Sequence, residues 1–156
     1  GTFNLSGGQY YWEAVLTTQN TSQQYVGVLT DGYTTSSGVG SDSKGWSIIV
    51  QSNGSNGQSF TNGATGSTLT TYTSGDIVMV AVDAVAGKIW FGKNGTWLNS
   101  GVPASGTGYV FSGLPTSLYP AIWNSAATGV LSINFGQRPF SYTAPSGFVA
   151  INAYNM

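Results

Sequence analysis

The chain has 156 residues, of which 6% are charged, with four basic and five acidic side chains for a net charge of −1, and it contains neither cysteine nor histidine. Those absences exclude disulfides, thiol chemistry, cysteine-based zinc sites, and the commonest general base and metal ligand. So few cations leave no footprint for a phosphate backbone or an anionic membrane surface. The length suits a single domain spanning 1–156, with enough residues for a core that needs no staples.

Taken in chain order, the first patterned segment sets Tyr11, Glu13, Val15 and Thr17 against Trp12, Ala14 and Leu16, the period-two alternation of a strand with two different faces. Tyr25 to Val28 supplies a second strand. A polar stretch from Asp31 to Gly45 separates it from a third, in which Trp46, Ile48 and Val50 oppose Ser47, Ile49 and Gln51. Ser52 to Tyr72 and Asn99 to Gly113 are two more segments rich in glycine and hydroxyls, and all three are expected to be loops with room for a short strand inside them. Ile77 to Val82 is an apolar run, rich in β-branched residues and bounded by Asp76 and Asp83, which predicts a central strand covered on both faces. Ala86-Gly87 makes a turn, Ile89 and Phe91 alternate with Lys88 and Trp90, and Lys93-Asn94-Gly95 carries the Asn-Gly signal of a type I′ hairpin before Thr96 and Trp97 start back. Further on, Leu131, Ile133 and Phe135 alternate with Val130, Ser132 and Asn134. From Gly136 onward the chain is irregular and punctuated by proline, with aromatics placed to pack back on the body. No useful length shows helical periodicity. The fold class predicted is all-β, a two-sheet antiparallel sandwich.

The five carboxylates, Glu13, Asp31, Asp42, Asp76 and Asp83, are the only groups on which a pair for glycoside hydrolysis could be built. Asp31 and Asp42 share a loop, but their spacing matches no calcium-ligand pattern. No histidine stands ready to activate a serine, no Gly-x-Ser-x-Gly elbow occurs, and no glycine cluster ends in the Lys-Ser/Thr of a phosphate loop. No catalytic residue, metal or cofactor is therefore expected. Aromatic residues make up 13% of the chain. Trp12, Trp46 and Trp90 fall in strand patterns and are assigned to the core, whereas Tyr33, Trp97 and Trp123 with Asn124 lie in or beside turns and are the candidates for a ligand face.

The order Gly-Asp-Ile-Val, Val-Ala-Val-Asp, Gly-Lys-Ile-Trp-Phe and Lys-Asn-Gly across residues 75–95 resembles the central signature of the SPRY (B30.2-like) domain. Flanking pieces agree in order: Tyr10 to Val15, Tyr25 to Val28, Gly45 to Ile48, Leu118 to Ala121, and Leu131 to Gly136. The resemblance implies a concanavalin-like jelly roll, structural roles for Glu13, Asp76 and Asp83, and ligand loops at Asp31 to Ser37 and Asn124 to Gly129. Ser125 to Gly129 is small and uncharged, lacking the anchors with which peptide-binding members hold their motifs, so the resemblance carries no peptide specificity. The closing run FGQRPFSYTAPSGFVAINAYNM is similar to the end of SPRY-like modules of bacteriophage and prophage proteins. It implies a module cut from a longer chain and displayed on a virion. The expectation is then a non-enzymatic binding module of a phage virion or tail protein, recognising a host-surface glycan or protein through its loops, without nucleic-acid partners or membrane insertion. The alternative is a decoration or spacer module touching neighbouring virion subunits, and a third, less favoured, is a glycan hydrolase working through Glu13 or Asp31.

Overall fold

The computed structural model describes residues 3–19, 21–34, 37–52 and 54–152. Twelve strands are formed among them: β1 (Gln9–Thr18), β2 (Gln24–Leu29), β3 (Gly45–Gln51), β4 (Gln58–Thr61), β5 (Ala64–Thr68), β6 (Ile77–Asp83), β7 (Lys88–Lys93), β8 (Thr96–Trp97), β9 (Phe111–Ser112), β10 (Tyr119–Asn124), β11 (Val130–Asn134) and β12 (Val149–Ala150). One 3₁₀ turn, Pro103–Ser105, is the only helical element among the described residues. The strands make two sheets. One runs β11-β1-β6-β7-β8, with β12 added on β1 and β9 on β7; the other runs β10-β2-β3-β4-β5. All pairings are antiparallel except the short β1–β12 contact of Tyr10 with Val149 and Tyr11 with Ala150. This is the all-β two-sheet sandwich that the alternation predicted.

Between the sheets lies the main core. The seven-stranded sheet contributes Trp12, Ala14, Leu16, Val78, Val80, Val82, Ile89 and Phe91, and the five-stranded sheet Val26, Val28, Ile48 and Val50. These are the inward members of the alternating segments, so each strand buries one row here and turns the other row outward. The outward rows are not bare. Tyr11, Met79, Ala81 and Trp90 form a second cluster on the outside of the seven-stranded sheet, and Tyr25, Val39 and Ile49 a third on the outside of the five-stranded sheet. A sandwich covered on its outer faces explains why β6 is apolar throughout, with Val78, Val80 and Val82 facing in and Met79 and Ala81 facing out.

The cover over the second cluster is the C-terminal segment. Phe140, Tyr142 and Ala144 pack there with the buried Phe148, Phe140 meeting Tyr11 edge-on at 4.8 Å and Phe148 meeting Trp90 at 6.0 Å between ring centroids. The segment is fastened by Glu13, only 1% exposed, whose carboxylate accepts the Tyr11 hydroxyl at 2.9 Å and the backbone N–H groups of Ser141 and Tyr142 at 2.9 and 2.8 Å. Burial first, and then the bond to Glu13, push the Tyr11 hydroxyl well above its ordinary range.

The β7–β8 hairpin turns at Asn94 and Gly95 with φ of 48° and 89°, the paired left-handed residues that a type I′ turn needs. Asp76 locks this end. It accepts the Thr73 N–H at 2.8 Å and the Asn94 amide at 2.6 Å, and pairs with the Lys93 ammonium at 2.8 Å. Burial alone would raise this carboxyl, but Lys93, Thr73 and Asn94 outweigh it and hold it at about 2, below its ordinary 3.8. Because the folded value is depressed, the stabilisation is complete above the unfolded value and is lost as pH falls through the folded one. Urea unfolding of the wild type should therefore lose about 1–2 kcal/mol more between pH 5 and about pH 2 than the Asp76→Asn variant loses over the same range. Parallel pH profiles would remove Asp76 from the account.

Candidate functional site

Two of the four residues singled out from sequence, Trp123 and Asn124, belong to the five-stranded sheet, and Tyr33 lies in the loop between its strands β2 and β3. Trp123 lies on the edge strand β10, opposite Tyr25 of β2, and Asn124 opposite Gln24. The register sends Tyr25 and Leu29 of β2, Ile49 of β3, Phe60 of β4, and Ala121 and Trp123 of β10 to the outer face. Tyr25 and Phe60 stack with centroids 5.4 Å apart and planes at 14°. The segment after β2 lies across this face. Its Val39, 3% exposed, is seated among Tyr25 and Ile49, and its carbonyl accepts the Ser47 hydroxyl at 2.6 Å.

Tyr33, half-buried, braces the same segment by donating its hydroxyl to the Gly38 carbonyl. Gly38 has φ of 103°, and a Cβ there would stand 2.4 Å from the Tyr25 ring and 3.5 Å from Cδ1 of Trp123, so glycine lets the backbone close on both aromatics. Burial, and then the neighbouring Tyr33, raise the Tyr25 hydroxyl above its ordinary value. Asp31 and Asp42 serve this segment: Asp31 accepts the Tyr119 hydroxyl at 2.9 Å, and Asp42 accepts the Lys44 N–H at 2.8 Å and the Thr34 hydroxyl at 3.2 Å. Asn124 donates to the Gly129 carbonyl and closes the small turn after β10. Trp123 is half-buried, and its Nε1 is a buried donor with no acceptor among the described residues.

Trp97 is elsewhere. It sits on β8 of the other sheet, half-buried beside the second cluster, with its ring edge-on to Tyr11 at 6.2 Å. The sandwich therefore puts Trp97 on the opposite outer face from Tyr33 and Trp123, and the four sequence candidates do not form one surface. A position just past a hairpin turn says that a side chain is near an edge, not which sheet the edge belongs to. Of the tryptophans assigned to the core, Trp12 and Trp90 are 1% and 0% exposed, and Trp46 is half-buried against the core. Tyr25 and Phe60 are further aromatics of this face, and both carry a signal in the sequence. Tyr25 alternates with Val26 and Val28, and Phe60 precedes Asn62-Gly63, the turn of the β4–β5 hairpin inside the predicted loop.

Every carboxylate has a structural role. Besides Glu13, Asp76, Asp31 and Asp42, Asp83 accepts the Val85 and Ala86 N–H groups at 3.0 and 2.7 Å and the Gln9 amide at 2.8 Å. Glu13, one of the two acids of the hydrolase alternative, is sealed under the C-terminal cover, and the other, Asp31, is exposed and accepts the Tyr119 hydroxyl. Among the described residues no three side chains of metal-ligating type gather, and no helix is long and apolar enough to cross a membrane.

Residues 9–138 match the SPRY domain family. Ran-binding protein 9 of Xenopus tropicalis is 28% identical over 137 residues, 86% of this chain and 23% of that protein. The Ran-binding proteins 9/10 homolog of Drosophila melanogaster is 33% identical over 90 residues, 57% of this chain and 8% of that protein. The chain thus spans less than a quarter of the length of these relatives. The SPRY domain of human HERC1 has the same fold, with a TM-score of 0.67 at 23% identity over 87% of this chain and 80% of that one. These relatives are animal proteins, and nothing in them carries the virion setting. The run that suggested phage modules lies largely beyond the matched residues, which end at 138. With the matched region covering all but the ends of the chain and each quoted motif falling on strands of the sandwich or their turns, this chain belongs to the SPRY domain family, whose members are in general non-catalytic protein-interaction modules.

Proposed function

We propose that this domain is a non-enzymatic recognition module that holds a polypeptide segment of a partner protein on the outer face of its five-stranded sheet, between the segment around Tyr33 and Val39 and the edge strand bearing Trp123. The observation that carries the reading is the aromatic cluster on that face. Tyr25, Phe60 and Trp123 are gathered under a single loop whose Val39 is the buried hydrophobic residue seated with them. Large flat side chains held rigid beside a short uncharged turn offer contact area at low entropic cost. The relatives named Ran-binding protein support a protein partner in kind, without carrying over its identity. The glycan and virion setting rests on the closing sequence run and on the hydroxyl- and amide-rich loops.

The test is to probe one preparation of the domain with a random linear-peptide library and a glycan array, then repeat the measurement on variants. Trp123→Ala should weaken a selected peptide by about tenfold or more, while Trp97→Ala, on the opposite face, leaves the affinity within about twofold. Peptide affinity lost only in Trp97→Ala would move the site to the other sheet. Saturable binding to glycans with no peptides selected would overturn the protein-partner reading in favour of the surface-glycan one.

A further inference from the structure

Among the described residues this fold satisfies its buried side-chain donors with one exception. The Trp90 indole donates to the Thr107 carbonyl at 2.7 Å, the Tyr72 hydroxyl to Gly92 at 3.1 Å and the Ser47 hydroxyl to Val39 at 2.6 Å. The Trp123 indole N–H alone lacks an acceptor. A buried donor left unpaired is costly and calls for a specific cause. The hydrophobic side chains gathered around this ring are Tyr25, Val39 and Ile49 with Phe60 and Ala121 beside them, and a single buried water would need two to four polar partners of its own.

We infer that the partner segment supplies a main-chain carbonyl to the Trp123 indole N–H, entering where Gly38 and Val39 now lie. The inference rests on the reading above and adds the ligand's chemistry to it. A main-chain carbonyl of an extended segment fits an indole N–H set among aromatic and aliphatic side chains, with an aliphatic side chain taking the seat of Val39. Gly38-Val39-Gly40, small on either side of one aliphatic residue, is an internal occupant of that seat. It is held by the Ser47–Val39 and Tyr33–Gly38 hydrogen bonds and by contact with the rings of Tyr25 and Trp123. Displacing it exchanges one aliphatic contact for another and adds the acceptor that the indole lacks.

The experiment compares Trp123→Phe, which keeps a ring and removes the N–H, with wild type, using a linear peptide selected from a random library. The expected result is an unchanged midpoint of urea unfolding together with about a tenfold loss of peptide affinity. Replacing the peptide's amides by esters, one at a time, should locate one weakened carbonyl in wild type whose effect vanishes in Trp123→Phe. Affinity within about twofold of wild type in Trp123→Phe, with Trp123→Ala still impaired, would overturn the inference and leave the protein-partner reading standing. Peptide binding untouched by Trp123→Ala, or no peptide selected at all, would sink the reading and the inference together.

Discussion

Replacing Glu13 by alanine should cost about 3–5 kcal/mol, a large share of the stability of a domain this size. Glu13 is buried at the middle of β1, and its carboxylate is the acceptor for three donors that have nowhere else to turn: the Tyr11 hydroxyl and the N–H groups of Ser141 and Tyr142. Its removal leaves all three facing an apolar surface, at about 1–3 kcal/mol for each group that stays buried. The segment can limit that loss only by lifting away, and doing so uncovers Tyr11, Met79, Ala81 and Trp90. Two readouts should move together: the urea midpoint should fall, and amide hydrogen exchange over residues 140–150 should accelerate more than in β6 or β7. Glu13→Gln retains one acceptor oxygen but turns an amide N–H₂ toward donors, so an intermediate loss is expected. A Glu13→Ala domain that unfolds within about 1 kcal/mol of wild type would mean that the cover is fastened by its aromatics alone.

Much of this fold was legible because period-two alternation and turn chemistry are local signals. Trp12, Ala14 and Leu16 against Tyr11 and Glu13, or Ile48 and Val50 against Ile49, name both faces of a strand without any knowledge of its neighbours. Asn94-Gly95 fixes a turn because two adjacent positive φ values are cheap there. The site was only half legible for the complementary reason. Which outer face an edge residue belongs to depends on strand order, and strand order is a long-range property. Trp97 follows its hairpin to the sheet that contains β1, whereas Trp123 pairs with Tyr25, 98 positions away in the chain, on the other. The role of Glu13 was foreseen only as structural. Nothing local joins it to Tyr142, 129 positions later, so the fastening of the C-terminal cover had no signature in the sequence.

Gly27 is a second case of a role hidden from the sequence, and its substitution should be the most damaging on the site face. The run Tyr25 to Val28 reads as a strand in which glycine is merely tolerated. Its φ is not in the left-handed region, so no turn requires it. What requires it is proximity: a Cβ at Gly27 would lie 2.0 Å from the Trp46 carbonyl oxygen and 2.7 Å from Cα of Ser47, both backbone atoms of the paired strand β3. Backbone in the middle of a sheet cannot rotate aside as a side chain can, so β2 and β3 must separate. That separation strains the Gly27–Ser47 and Val26–Ile48 pairs and unseats Val39, which is tied to Ser47. Gly27→Ala should therefore cost about 3 kcal/mol or more in urea unfolding, at the upper end of overpacking effects. The control is Gly54→Ala, at an exposed turn where a Cβ would meet nothing within 4 Å and only the φ of 88° opposes substitution, for which about 1 kcal/mol is expected. If Gly27→Ala proves no worse than Gly54→Ala, the close approach of β2 to β3 is not a feature of the domain in solution. A loss concentrated in Gly27→Ala, with the remaining folded fraction unable to bind a peptide selected on wild type, would tie the packing of these two strands to the recognition face they carry.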